Sequence, residues 1–234
     1  MSGTRELVLS RVRAALAGPS PERQAEPAAE RWADEGEPSA GGRETLDEAD
    51  GAARDQEPGS DRLVELLTAR LLDYGAAVVE VGADDVAPAL DRVLAAEGAA
   101  RVAVPPDLPA SWRPRSVTVV DDAGLGAVEL DELDGAVTGC TLAIAETGTL
   151  LLTAAPAEGR RALTLVPDLF VCILRRASVV ADAGAALAAV APLVRDERRP
   201  LTFVSGPSAT SDIELHRVEG VHGPRRLVVL VVEE

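Results

Sequence analysis

From residue 61 onward, short aliphatic runs alternate with stretches of helical period, and this alternation limits the fold more than any other feature of the chain. A helix beginning at Asp61 turns Leu63, Leu66, Leu67 and Leu71 inward and stops at Gly75, and the strand AAVVEV follows, ending at Val81. Asp84 or Asp85 can cap the next helix, which carries Val86, Leu90, Val93 and Leu94 to Gly98; the strand Arg101–Val104 then runs into Pro105-Pro106. Helix and strand at this spacing imply βαβ units and a largely parallel sheet. Aromatic residues are only 2% of the chain, so its core is built from Val, Leu and Ala, as in sheets buried on both faces.

The pattern continues with SVTVV before Asp121, then AVTGCTLAIA, GTLLLTA, ALTLVP and FVCILR as strand candidates, a helix from Ala183 to Val194, and the strands LTFVSG and RLVVLVVE. The strand density after residue 136 predicts some antiparallel hairpins joined by glycine turns. Three segments are expected: residues 1–17 with an amphipathic helix (Val8, Val12, Ala15 and Leu16 on one face), an acidic linker over 18–60, and an α/β domain over 61–234. The linker holds 12 acids and 4 arginines among Pro, Gly, Ser and Ala, a composition that favours disorder and supplies half of the net charge of −16.

All 23 basic residues are arginine, which rules out a P-loop lysine and a Schiff-base lysine. The acidic balance argues against nucleic acid and anionic membranes as partners. Cys140 and Cys172 are the only cysteines, and they form no CxxC motif, so neither a disulfide scaffold nor a self-contained iron–sulfur cluster is expected. Both lie in apolar strand patterns, where buried inert thiols are the default. No signal-peptide core or membrane-spanning run is visible, and a cytoplasmic location is expected.

Ligands of open α/β sheets bind beyond the carboxyl ends of strands. Two segments have suitable loops. The first is the turn Glu146-Thr147-Gly148-Thr149. Glu146 there can act as a base or carboxylate nucleophile, or can simply sit in water. The second follows LTFV and contains Ser205, Gly206, Ser208, Thr210 and Asp212; its hydroxyl and carboxylate groups can cap a helix or frame an anion site. His222 lies in the turn Gly220-Val221-His222-Gly223-Pro224 and is either a binding or general-base residue or a plain turn residue, whereas His216 on a helix face reads as structural or solvated. Arg160 and Arg161 after Gly159 can grip a carboxylate or lie on the surface. No metal ligand set is expected.

Two blocks, LDGAVTGCTLAIAETGTLLLTAAPAEGRRALTLVPDLFVCILRRASVV and PLTFVSGPSATSDIELHRVEGVHGP, make the chain resemble the LUD-domain family, in its lactate utilization protein C group, almost continuously from Leu133 to Pro224. Weaker likeness covers RVAVPPDLP and the N-terminal helix; the acidic linker looks like an insertion. The resemblance implies a Rossmann-like, mixed but mostly parallel sheet similar to the NagB, ribose-5-phosphate isomerase and CoA-transferase group. It also implies a part in oxidising L-lactate to pyruvate, with no cofactor in this chain and iron–sulfur clusters in partner subunits. One departure stands out: Phe170 occupies the place, after Pro167-Asp168, where the family commonly has histidine.

Within that expectation Arg161 orients the carboxylate and His222 accepts the hydroxyl proton. Glu146, Thr147, Gly148 and Thr149 shape the pocket with Ser205, Gly206, Ser208, Thr210 and Asp212. Two alternatives remain: a non-catalytic scaffold of the same complex, and an acyl- or CoA-transferase-like enzyme with Glu146 as its nucleophile.

Overall fold

A computed structural model describes residues 56–208 and 223–233. The chain divides into units Met1–Leu46 and Asp47–Glu234, and the described residues all lie in the second. The expected N-terminal helix, most of the expected linker, and Thr210, Asp212, His216 and His222 fall outside the described residues.

The elements run α1 (Asp61–Asp73), β1 (Ala77–Gly82), α2 (Val86–Ala96), β2 (Arg101–Val104), β3 (Thr118–Asp121), α3 (Ala127–Asp131), β4 (Gly135–Gly139), β5 (Leu142–Ile144), β6 (Thr149–Leu152), β7 (Leu169–Arg175), β8 (Val179–Val180), α4 (Ala183–Glu197), β9 (Thr202–Val204) and β10 (Arg226–Glu233). Six strands form one sheet in the order β1-β10-β7-β4-β2-β3, every pair parallel. A second sheet, β8-β5-β6-β9, contains the antiparallel pairs β5–β6 and β6–β9. The mixed, mostly parallel α/β architecture read from the sequence is the one observed.

Alternation along β7 and β10 explains how the layers stack. Phe170, Cys172, Leu174, Leu227, Val229 and Val231 meet α1 and the second sheet, while Leu169, Val171, Ile173, Val228, Leu230 and Val232 meet α2. Neither face reaches solvent, which is why both strands read as unbroken aliphatic runs. The second sheet repeats the scheme: Ala143, Leu150 and Leu152 join the first core, and Leu142, Ile144 and Leu151 pack on Ala186 and Val190 of α4. Phe170 is 1% exposed within the first of these cores, so this chain uses the position for packing.

Aspartates clamp the starts of two parallel strands. Asp134 Oδ2 accepts the Ala100 and Arg101 N–H groups at 2.8 Å each, immediately before β4 and at the start of β2. Asp91 of α2 accepts the Arg115 and Ser116 N–H groups at 2.8 and 2.9 Å, at the approach to β3. The Ala100 and Arg101 N–H groups hold the Asp134 carboxyl below its usual range. For Asp91, burial pushes upward, but the N–H groups and the Ser116 hydroxyl outweigh it and leave the carboxyl lowered.

Three expectations need correction. The run ALTLVP is not a strand: Arg161–Thr164 is a 3₁₀ turn, because Leu163 must face a small core against Ala103, Leu130 and Leu133. AVTGCTLAIA is two strands in different sheets, broken where the Gly139 N–H turns away to donate to Ala157 O at 2.8 Å. The end of the expected linker is also tied to the domain, with Gly59 N–H donating to Val179 O at 2.8 Å and Arg176 Nε donating to Gly59 O at 2.9 Å. Among the described residues no helix is long and apolar enough to cross a membrane.

The predicted glycine hairpin joins β5 to β6. Gly148 has φ +61°, and a Cβ there would lie 2.6 Å from the Cβ of Arg70 in α1. Gly148→Ala should therefore destabilise the domain by about 1–3 kcal/mol, combining left-handed strain with a clash against a core helix. Urea unfolding would measure this, and an unchanged midpoint would mean that the turn and α1 separate freely.

Candidate functional site

All six strands of the parallel sheet end on one edge, and the strand order reverses between β2 and β4: the chain leaves β2 on one side for β3 and returns on the other as β4. Such reversals open a crevice at the carboxyl ends of the strands. Here the loop 153–161 crosses it. Ala157 O receives the Gly139 N–H at the end of β4, and Gly159 lies so close to Pro105, after β2, that a Cβ would come within 3.1 Å of the Pro105 ring.

Glu158 holds this loop in shape. Its carboxylate is 3% exposed and accepts the Thr153 and Ala155 N–H groups on Oε2, at 2.7 and 2.9 Å, and the Thr141 hydroxyl on Oε1 at 2.5 Å. The Thr141 and Thr153 hydroxyls are 2.9 Å apart. A buried carboxylate saturated in this way is a structural anchor.

The adjacent arginines have different surroundings. Arg160 grips Asp122, beyond the end of β3, through Nε and Nη2 at 2.6 Å each, and also donates to Leu125 O. Burial pushes the Asp122 carboxyl upward, but Arg160, by hydrogen bonding and by charge, and the Leu125 and Gly124 N–H groups outweigh it, leaving the pKa lowered. Arg161 makes no ion pair with any of the described residues; its Nη1 donates to the Thr164 hydroxyl. Although Arg161 is largely exposed by area, partial burial lowers its pKa, which marks an incompletely solvated cation.

Arg161 and Thr164 border two cavities. One, of about 170 Å³, is framed by Arg161, Thr164, Ser205, Gly206, Ser208 and Gly223, with Phe203, Leu165 and Pro224 also on its wall. The other, of about 400 Å³, has Leu152, Ala154, Glu158, Gly159, Arg160, Pro200 and Thr202 on its wall.

The two segments singled out in the sequence meet through a relay of hydroxyls. Thr147 Oγ1 lies 2.8 Å from Thr149 Oγ1, which lies 2.8 Å from Ser205 Oγ. Ser205, Gly206, Ser208 and Arg161 thus share the smaller cavity, and Thr149, 6% exposed, supports Ser205 from behind. Gly206 has φ +81°, and a Cβ there would lie 2.6 Å from the Tyr74 Cβ, so its backbone approach depends on glycine. Glu146 and Gly148 line neither cavity. Glu146 is half-buried in the hairpin turn, where its N–H donates to Ala181 O at 3.0 Å and its carbonyl accepts Arg70 Nε at 3.0 Å.

Cys172 is fully buried. A hydrogen bond with Cys140 first, then burial and the neighbouring Cys140 and Glu158 charges, push its thiol well up, keeping it protonated as an inert core group. The residues that sequence reasoning missed are Glu158, Thr164 and Asp122. Glu158 lies in PAEGRR, whose composition suggests an exposed loop, and nothing local signals its burial.

A family model, the LUD domain, matches residues 127–232. A lactate utilization protein C of Deinococcus radiodurans is 49% identical over 164 residues, covering 70% of this chain and 76% of that one. A lactate utilization protein C of Halalkalibacterium halodurans is 30% identical over 192 residues, covering 76% and 83%. Among solved structures, a DUF162-family protein of Deinococcus radiodurans superposes with a TM-score of 0.63 at 40% identity, over 73% of this chain and 96% of that one.

Because the Asp122 carboxyl is held below its usual range, its pairing with Arg160 stabilises the fold fully above about pH 4 and loses that contribution as the pH falls through the lowered folded-state value. Asp122→Asn should lower stability at pH 7 by about 1–2 kcal/mol, a figure discounted for the part-exposed guanidinium. The gap from wild type should close below about pH 4. Urea midpoints measured across this range test the sign, and a gap that widens in acid would contradict it.

Proposed function

The chain belongs to the LUD-domain family, in its lactate utilization protein C group, and from that premise we propose that it takes part in lactate utilization as a subunit without a redox centre, binding a small carboxylate at Arg161. Partner subunits would hold iron–sulfur clusters able to accept the two electrons released, with two protons from the O–H and Cα–H bonds, when L-lactate is oxidised to pyruvate. The relatives' lactate utilization names support the pathway. The carboxylate reading is supported by the place of Arg161: it lines the smaller cavity and has no carboxylate partner among the described residues, and burial lowers its pKa.

In this reading Arg161 binds the carboxylate through paired N–H donors. Thr164 steadies the guanidinium, and the Ser205 and Ser208 hydroxyls reach the substrate's oxygens, with Ser205 oriented by the Thr149–Thr147 relay. His222, outside the described residues, is the group we assign to accept the hydroxyl proton. Glu146 is a positioning residue whose backbone joins the hairpin to α1 and to the segment after β8.

Two measurements test this. The tagged full chain, recovered anaerobically from cells oxidising lactate, should bring down iron–sulfur absorbance and L-lactate-dependent dye reduction that an untagged control lacks. Arg161→Gln should lower that dye reduction about tenfold or more while the folded state and the captured absorbance persist, the loss expected for one charge-assisted contact. Undiminished turnover in Arg161→Gln would remove this cavity from the reaction, and absence of the absorbance would remove the complex.

A further inference from the structure

The smaller, polar cavity suits a three-carbon acid, yet Arg161 and Thr164 also border the larger one, whose lining surface is mostly apolar and includes Leu152, Ala154 and Pro200 beside Glu158, Arg160 and Thr202. At about 400 Å³ this space falls within the range of pockets that enclose cofactor- or drug-sized molecules, far beyond the needs of lactate. We propose that the two cavities form one bipartite site for carboxylates with an apolar body, such as 2-hydroxy or 2-oxo acids bearing an aromatic or branched side chain, with the carboxylate on Arg161 and the body in the larger cavity. The proposal rests on the reading of Arg161 as a carboxylate anchor.

The charges around the larger cavity fit such a ligand. Asp122 neutralises Arg160, so that cation does not compete for the acid. Glu158 directs both its oxygens at Thr141, Thr153 and Ala155, so its carboxylate is already engaged within the loop. Among the described residues Arg161 is the remaining cation on the wall, and Thr164, 5% exposed, holds it at the boundary between the polar and apolar spaces. A ligand with one anionic end and an apolar remainder would fill both halves, leaving no polar group of its own against Leu152 or Pro200.

Calorimetric titration of the full chain with L-lactate, 3-phenyllactate and benzyl alcohol tests this, alongside Ala154→Phe to fill the larger cavity and Arg161→Gln to remove the anchor. Ala154 is exposed and lines the larger cavity, so the larger side chain does not enter the core. Burial of a phenyl ring should make 3-phenyllactate bind about tenfold or more tightly than L-lactate. Ala154→Phe should reduce that ratio to about one, Arg161→Gln should weaken both acids, and benzyl alcohol should bind far less well than the acid. If lactate binds through Arg161 but phenyllactate gains nothing, or if its gain survives Ala154→Phe, the bipartite site is refuted while the carboxylate reading stands. If neither acid binds, or if Arg161→Gln leaves both unaffected, the carboxylate anchor fails and this inference falls with it.

Discussion

Glu158 is the residue on which the site depends. Burying a carboxylate is costly unless its lone pairs are filled, and here two backbone N–H groups and a threonine hydroxyl fill them. Those bonds curl the chain after β6 back over the ends of β4 and β2, so that Ala157 can take the Gly139 N–H and Gly159 can rest on Pro105. Only a loop fixed this way delivers Arg160 to Asp122 and leaves Arg161, the next residue, facing the cavities. Without the Glu158 carboxylate, the loop across the crevice where the sheet order reverses would keep only its backbone bonds at Ala155 and Ala157.

Below that anchor lies a sheet whose sequence is easy to read for a physical reason. β7 and β10 are buried on both faces, so nearly every position must be aliphatic, and a run such as LVVLVV has no other stable use in a chain so poor in aromatics. The α1–β1–α2–β2 progression is legible in the same way, through helical periodicity followed by Val-rich runs. Legibility fails where an apolar run serves two masters. In AVTGCTLAIA the composition is uniform, but Gly139 gives its N–H to the 153–161 loop, and the chain passes to a second sheet at Cys140 and Thr141. In ALTLVP the alternation is strand-like, yet Leu163 and Thr164 are buried by a 3₁₀ turn that the Arg160–Asp122 grip starts, a cause 38 residues distant in sequence.

The candidate site shows the same division. Turn chemistry marks ETGT and SGPS as places where backbone and hydroxyls are presented, and Thr149 and Ser205 do meet across 56 residues. What turn chemistry leaves ambiguous is which residues face a ligand and which pack. Gly148 is demanded by α1, and Phe170 by the core between α1 and β10. Glu158 and Asp122, indistinguishable in sequence from surface acids, carry the loop's architecture because distant N–H groups and one arginine converge on them.

Arg160 and Arg161 bring these levels together. Identical side chains on neighbouring residues receive opposite roles because a 3₁₀ turn begins between them and only one can point back to Asp122. Arg160 spends its charge within the protein, where Asp122 and the Leu125 carbonyl make it a clamp on the end of β3. Arg161 has Thr164 alone among its described contacts, a neutral partner that orients the guanidinium without cancelling it. On the proposed reading, an orienting hydroxyl beside that guanidinium would hold its donors in place for a carboxylate. The clamp and the neighbouring cation are linked through the chain: the Arg160 carbonyl closes the turn that carries Arg161, while its side chain ties that turn to Asp122.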